Sequence, residues 1–260
     1  MIRGIYAVVV LDLKRAWLDR ARLLTGLAQP LLYLFVLGAG IGGSSRMGGP
    51  AYQRGIFPGV MGLSLLFTAV FMAISIVFDR QIGFFKAVLV SPLPRAAIAL
   101  GKITSGAAQA FIQGLILLPF APLVGIHLGI VNTAEMLAAM VLASMTFSAI
   151  GVAVASQFTS TTVFPIVSNT IILPMYFLSG ALYPLAMAPH VMQVAAHFDP
   201  VAYAVDLMRG ALLGTYFFPP LLSFAVLVGL ITLLSWLGVR VFSRGEDDSV
   251  LGATGFRWRR

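Results

Sequence analysis

Six apolar stretches, none holding an Asp, Glu, Lys, Arg or His, divide this chain of 260 residues: Gly26–Ile41, Ile56–Phe78, Ile103–Ile126, Met136–Ser156, Val163–Tyr183 and Phe217–Val239. An α-helix rises about 1.5 Å per residue, so roughly 20 apolar residues cover a hydrocarbon core of about 30 Å. The first stretch is the shortest and carries Pro30 near its start, so flanking residues must complete its span. The runs are continuous rather than alternating, which selects helices over the strands of a barrel. The expected fold is an all-α membrane protein with six transmembrane helices.

Composition agrees. Only 10% of the residues are charged, whereas a soluble domain carries about 25%. The mean hydropathy is +0.96. So much apolar surface must face lipid or neighbouring helices. With no cysteine, disulfides and thiolate chemistry are excluded.

The net charge of +8 would suggest nucleic acid if its location were ignored. With the N-terminus inside, residues 1–25, 79–102, 157–162 and 240–260 face the cytoplasm. They hold fourteen of the Lys and Arg residues, and only Arg46, Arg54 and Arg209 fall outside. That asymmetry predicts two cytoplasmic termini, and it assigns the basic residues to topology and anionic lipids, with no nucleic-acid partner.

Residues 1–25 read as an amphipathic helix lying at the cytoplasmic interface, followed by the six-helix domain over 26–240 and a cytoplasmic tail over 241–260. At 100° per residue, Tyr6, Val10, Leu13, Trp17 and Leu24 share one face, while Asp12, Arg15, Asp19 and Arg22 share the other. The cytoplasmic loop Asp79–Lys102 suggests a short helix over Gln81–Leu89, ended by Pro92 and Pro94. Phe84, Phe85, Val88 and Leu89 give it an apolar face among Arg80, Lys86 and Arg95. Such a face either tucks under the bundle or fills a groove on another protein.

After the fifth span, Pro184–Gly214 predicts two external helices too short to cross, half-buried over the outer mouth as a re-entrant cap. Asp199-Pro200 reads as an N-cap followed by Pro at the first helical position. Asp206 and Arg209, three residues apart on the second helix, are spaced to pair.

Ion-coupled carriers normally need ionisable groups at membrane depth, and the six stretches offer none. What remains is amides and hydroxyls. Gln109 and Gln113 lie four apart on one face of span three, and Asn169 and Thr170 sit in mid-span five. Such groups serve as interhelical glue or as ligands for a substrate. Small residues four apart (Ala110/Gly114, Ser144/Ser148, Gly151/Ala155) permit close helix approach. Ser179 with His190 and His197 lacks the spacing of an intramembrane hydrolase, and the two histidines have no matching carboxylate for a metal. Gly101-Lys102 lacks the upstream glycine of a phosphate loop. No catalytic or metal site is expected, nor any cofactor in this chain.

The run Asp79-Arg80-Gln81-Ile82-Gly83-Phe84-Phe85-Lys86, continuing through Leu89-Val90-Ser91-Pro92 to Leu100-Gly101-Lys102, resembles the loop of the type-2 ABC exporter permeases. That family includes the daunorubicin-resistance, nodulation-factor and polysaccharide export permeases. Phe177-Leu178-Ser179-Gly180 with Tyr183-Pro184 is similar to the end of its fifth span, and Pro200–Tyr203 with Asp206 and Arg209 to its external helix. Two positions depart from the family pattern. Gln81 and Ala87 are uncharged where an acidic residue is frequent, and Asp199 stands where Asn is commoner.

The resemblance implies that Arg80, Gly83, Phe84, Phe85, Lys86, Val88 and Leu89 form a coupling helix that docks on a separate cytoplasmic ABC ATPase, which holds the ATP and Mg. It implies a second permease (another copy or a sister chain) and residence in a bacterial or archaeal cell (inner) membrane. The expected cargo is hydrophobic or amphipathic: a drug, lipid or glycolipid moved out of the cytoplasm or inner leaflet. Gln109, Gln113, Asn169, Tyr176 and Phe177 are the candidate pathway residues, and Phe67 and Phe71 are among the aromatics available for stacking. Asp199, Asp206 and Arg209 are the candidate external gate. The alternative is an ATP-independent channel or carrier.

Overall fold

A computed structural model describes residues 1–18, 20–37, 49–81 and 95–244 of the chain. The described residues form helices joined by turns, with no strand among them. Helix α1 (Ile2–Leu18) is followed by α2 (Arg20–Leu32), which passes into a π-helical turn at Tyr33–Leu37. Next come α3 (Gly49–Met72), α4 (Ile74–Gln81), α5 (Arg95–Leu117) and α6 (Ile130–Ala155). The chain continues through α7 (Val163–Leu178), α8 (His190–Ala196), α9 (Pro200–Leu213) and α10 (Pro220–Arg244).

Among the described residues, four segments are long and apolar enough to cross a membrane: Tyr52–Gln81, Ala96–Val124, Ile130–Ala155 and Pro220–Arg240. The first and fifth of the six sequence stretches appear as shorter apolar helices, Gly26–Val36 and Val163–Leu178. The second, formed by α3 and α4, is broken only by a turn at Ala73, and it runs on through Asp79 and Arg80. The third begins at Arg95, so Lys102 lies inside a helix. Both helices therefore extend into what the sequence reading treats as loop. Of the added charges, Asp79 and Lys102 are buried and pair with each other at 3.0 Å, so a helix can carry them.

Helix α6 occupies the centre and packs on α3, α5, α9 and α10. Its small residues explain this. Ala139, Ala143, Ser144, Ser148, Gly151 and Ala155 are all buried. A Cβ added at Gly151 would lie 2.8 Å from the Cα of Val70, so α3 and α6 touch nearly backbone to backbone there. Ser148 donates its hydroxyl to the carbonyl of Ile103 at 2.7 Å, tying α6 to α5. Ser144 returns its proton to the carbonyl of Met140 in its own helix at 2.7 Å. The four-residue spacings thus serve packing, as expected. Pro119 and Pro122 sit in a 3-10 turn, Leu118–Val124, which ends the third span at left-handed Gly125.

Two expectations about the flanking helices are corrected. The charged face of helix α1 is not wholly solvated as its wheel suggests: Tyr6 is 71% exposed, whereas Asp12 is 8% exposed. Helix α1 lies along α5 instead, with Gly4 and Asp12 buried and Val8 set closely against Gly101. Asp12 turns inward because it has a buried partner, as described below. Helix α9, expected to lie half-buried over the outer mouth, is not half-buried either. Val201 to Asp206 is a continuous buried run, joined by Met208, Gly210, Ala211 and Leu212. Helix α9 packs on α3, α6 and α10. Gly62 opens the surface of α3 to it, and Gly59 opens the same helix to the turn that follows α7. A side chain at Gly59 would collide with the carbonyl of Ala181, and one at Gly62 with Val205.

Candidate functional site

Among the described residues, three polar constellations interrupt this apolar bundle. The first joins α1, α4 and α5. The Lys102 ammonium lies 3.1 Å from Oδ1 of Asp12 and 3.0 Å from Oδ2 of Asp79. It also donates to Oγ of Ser75 at 3.2 Å. Ser105 donates to the second oxygen of Asp12 at 2.9 Å. Arg15 approaches Asp79 from the exposed edge at 3.9 Å. Two carboxylates and two cations thus form a set without net charge. Isolated buried charges are severely destabilising, but paired and hydrogen-bonded ones are tolerated. The cluster pins the last turn of α4 and the first turns of α5, the two helices that flank residues 82–94. On the same side, Arg80 donates to the carbonyl of Ser156 at 2.7 Å, fastening the end of α4 to the end of α6.

The second constellation lines a cavity of about 390 Å³ between α2, α3, α5 and α7, whose walls include Ser64, Phe67, Thr68, Phe71, Gln109, Gln113 and Asn169. Gln109 and Gln113 project from successive turns of α5, as their spacing predicts. Ser64 and Thr68 face them from α3, again four apart. Phe67 and Phe71 stack with ring centroids 5.6 Å apart. Gly26 of α2 closes the wall, since a Cβ there would stand 3.0 Å from Nε2 of Gln113. A smaller cavity of about 160 Å³ adjoins it and shares Ala16, Met72 and Gln109; its own lining includes Asp12, Arg15, Ser75 and Ser105. The amide cavity and the ion cluster therefore share a wall.

The third constellation fastens α9. Asp199 caps it by accepting the N–H of Val201 at 2.8 Å, as its sequence context predicts. Burial outweighs that hydrogen bond and pushes the carboxyl of Asp199 up to about 7. Asp206 and Arg209 do not pair with each other in an ion pair. The Asp206 carboxylate accepts the N–H groups of Phe217 and Phe218 at 2.8 and 3.0 Å. Arg209 donates to the carbonyl of Gly180 at 2.6 Å. Each has found a backbone group that would otherwise go unpaired where the chain enters α10 or leaves α7. Burial also raises the carboxyl of Asp206, against the lowering effect of those two N–H groups and of nearby Arg209.

The sequence that forms this helical bundle matches a known membrane-protein family. The model of the ABC-2 type transporter family covers residues 3–213. The chain belongs to that family. Its similarity to Nodulation protein J of Rhizobium leguminosarum bv. trifolii is 34% identity over 200 residues, covering 75% of this chain and 75% of that protein. The Nodulation protein J of Rhizobium leguminosarum bv. viciae is 32% identical over 200 residues, at 75% and 76% coverage. That of Rhizobium meliloti (strain 1021) is 29% identical over 198 residues, with 75% of each chain covered. This ABC-2 type chain is accordingly a multi-pass membrane protein and a transporter subunit, and the family resemblance read from its sequence holds.

The expected site residues of this ABC-2 protein are distributed unevenly. Gln109, Gln113 and Asn169 meet in the cavity. Tyr176 and Phe177 are absent from its lining; Tyr176 is buried elsewhere and Phe177 is 48% exposed. Of the proposed coupling residues, Arg80 is described, and Gly83, Phe84, Phe85, Lys86, Val88 and Leu89 lie outside the described residues, as does Asp19. The Asp12–Lys102–Asp79 cluster escapes sequence reasoning. Only Asp79, Gly101 and Lys102 were singled out by the family resemblance, and no local spacing links them to Asp12.

Proposed function

We propose that this chain is the transmembrane half of an ATP-driven exporter whose ATP and Mg are held by a separate cytoplasmic ABC ATPase. Membership of the ABC-2 type family carries this reading. In it the chain crosses a bacterial or archaeal cell membrane six times with both termini cytoplasmic, and it works as a pair with a second copy or a sister permease. The shorter apolar helices ending at Val36 and Leu178 complete their spans with flanking residues or against the partner permease. The cargo is hydrophobic or amphipathic, consistent with a bundle interior lined by amides, hydroxyls and aromatic rings. The ATPase grips residues 82–94, and the ion cluster at the base of that segment passes its movement to α1, α4 and α5. On the far side, Asp199, Asp206 and Arg209 hold α9 against α7 and α10, and release of that hold opens the exit.

The test is co-expression of the intact chain with its candidate ATPase. Phe84→Ala with Phe85→Ala removes apolar area worth roughly 1.5–3 kcal/mol per fully covered side chain. Expression is expected to survive while ATPase co-purification and transport fall together. Unchanged association would overturn the docking role of this segment. Transport by the chain without any ATPase would return it to the class of ATP-independent carriers.

A further inference from the structure

We infer that α4 is a hinged arm with two docking positions: in one the Asp79 carboxylate is held by Lys102 of α5, and in the other by Arg15 of α1. Three independent observations meet at this place. The first is a hinge. Between α3 and α4, Ala73 donates to the carbonyl of Val70 at 3.1 Å, and Ile76 donates to that of Ala73 at 2.9 Å. Both bonds reach back three residues rather than four, the mark of a local break in the helical winding. The eight residues of α4 therefore stand on the end of α3 as a separate piece, and no proline fixes the angle between the two.

The second observation is room. The cavity of about 160 Å³ lies beside this hinge, between Ala16 of α1, Met72 and Ser75 at the hinge, and Ser105 of α5. Ser75 and Asp79 are four apart and share one face of α4, so the arm has space to lean toward α1. The third is an uneven charge count. Asp12, Asp79 and Lys102 are 8%, 4% and 7% exposed, and these three buried groups carry one negative charge in excess. Half-exposed Arg15 answers it from the edge at 3.9 Å, about 1 Å beyond the roughly 2.7–2.9 Å of a close charge-assisted hydrogen bond. A lean of that size closes the Arg15–Asp79 pair and lengthens the Lys102–Asp79 contact, now 3.0 Å. Lys102 keeps Asp12 at 3.1 Å, because α1 lies along α5. After the exchange each carboxylate has a cation of its own, so neither position strands a buried charge. The hydrogen bond from Arg80 to Ser156 sits at the far end of the arm, on a side chain long enough to follow. That the arm relays movement of an ATPase rests on the exporter reading above, since α4 ends where residues 82–94 begin; the existence of two positions does not.

The chain has no cysteine, so Phe78→Cys, at a position 54% exposed beside Asp79, takes a single trifluoromethyl tag. Fluorine NMR of the tagged full chain in lipid nanodiscs, with no ATPase or nucleotide, reports the arm. Two resonances are expected, one for each position. Arg15→Gln removes the second counter-ion and Ala16→Leu fills the cavity. Each is expected to abolish the same resonance and to leave the other where it stood. Arg15→Lys supplies a cation again and should keep both. The Tm of Arg15→Gln is expected to stay close to that of the parent, which separates a change of position from a loss of fold. A single resonance in the parent would overturn the arm. So would two resonances whose ratio Arg15→Gln and Ala16→Leu leave unchanged, or the loss of different resonances in the two variants. Failure of the exporter assignment is read separately, by the co-purification experiment.

Discussion

Replacing Lys102 with an apolar residue would leave Asp12 and Asp79 buried without their common counter-charge. Asp12 is 8% exposed and Asp79 is 4% exposed, so water offers little screening. Breaking a buried ion pair by removing one partner typically costs about 3–5 kcal/mol, whereas exchanging the whole set for neutral residues is often close to neutral. Lys102→Met is therefore expected to lower thermal stability in nanodiscs strongly, and the triple exchange Asp12→Asn, Asp79→Asn, Lys102→Met to recover most of the loss. Arg15→Gln should matter far less, since that side chain is about half exposed and only grazes Asp79 at 3.9 Å. If the triple variant is stable but its ATPase no longer responds to substrate, the cluster transmits motion as well as holding α1 in place. The sequence could not reveal this arrangement. Asp12 and Lys102 are 90 residues apart, and a helical wheel places Asp12 among the other charges of α1, where it reads as a solvated residue.

At the scale of elements, the limit of sequence reasoning was burial rather than helix placement. The apolar runs marked four long helices and two shorter ones among the described residues, because continuous hydrophobicity is a local property. The depth of α9 was hidden because Asp199, Asp206 and Arg209 look like surface residues until their backbone partners at Val201, Phe217, Phe218 and Gly180 are known. Within the cavity, the helical spacing of Gln109 and Gln113 was legible, but the facing hydroxyls of Ser64 and Thr68 depend on which helices meet. Asp199 carries a specific consequence for α9. Its carboxyl is raised by burial from 3.8 to about 7, so between those values the folded protein holds a proton that the unfolded chain has released. The native state therefore binds more protons, and this contribution makes stability fall as pH rises across that window. Asp199→Asn retains an acceptor for the N–H of Val201 and cannot ionise. Relative to the variant, the parent is expected to lose stability from about pH 4 to about pH 7 and to run parallel above it. Asp199→Ala removes the cap and should cost about 0.5–2 kcal/mol. Unfolding curves of the three proteins across that range decide the matter, and a parent-to-Asn difference independent of pH would remove Asp199 as the titrating group.

For the whole molecule, orientation controls everything proposed about energy supply. A cytoplasmic ATPase reaches residues 82–94 only if that segment faces the cytoplasm, as the charge distribution predicts. Fourteen Lys and Arg residues fall in the proposed cytoplasmic segments, against Arg46, Arg54 and Arg209 outside. The native chain has no cysteine, so single cysteines report cleanly. Met187, 86% exposed ahead of α8, and Arg3 at the start of α1 sit in segments assigned to opposite faces. In intact cells stripped of any outer barrier, a membrane-impermeant maleimide is expected to label Met187→Cys at once. Arg3→Cys and Arg95→Cys should be labelled only after the membrane is opened. Labelling of Arg95→Cys from outside would place the loop beyond the reach of a cytoplasmic ATPase, and coupling through Phe84 and Phe85 would fall with it. External labelling confined to Arg3→Cys would have a narrower meaning. It would detach α1 from the cytoplasmic face, which the packing of α1 along α5 and the Asp12–Lys102 contact at 3.1 Å do not permit while Arg95 stays inside. The two positions must therefore move together, and their agreement tests the ion cluster as well as the topology.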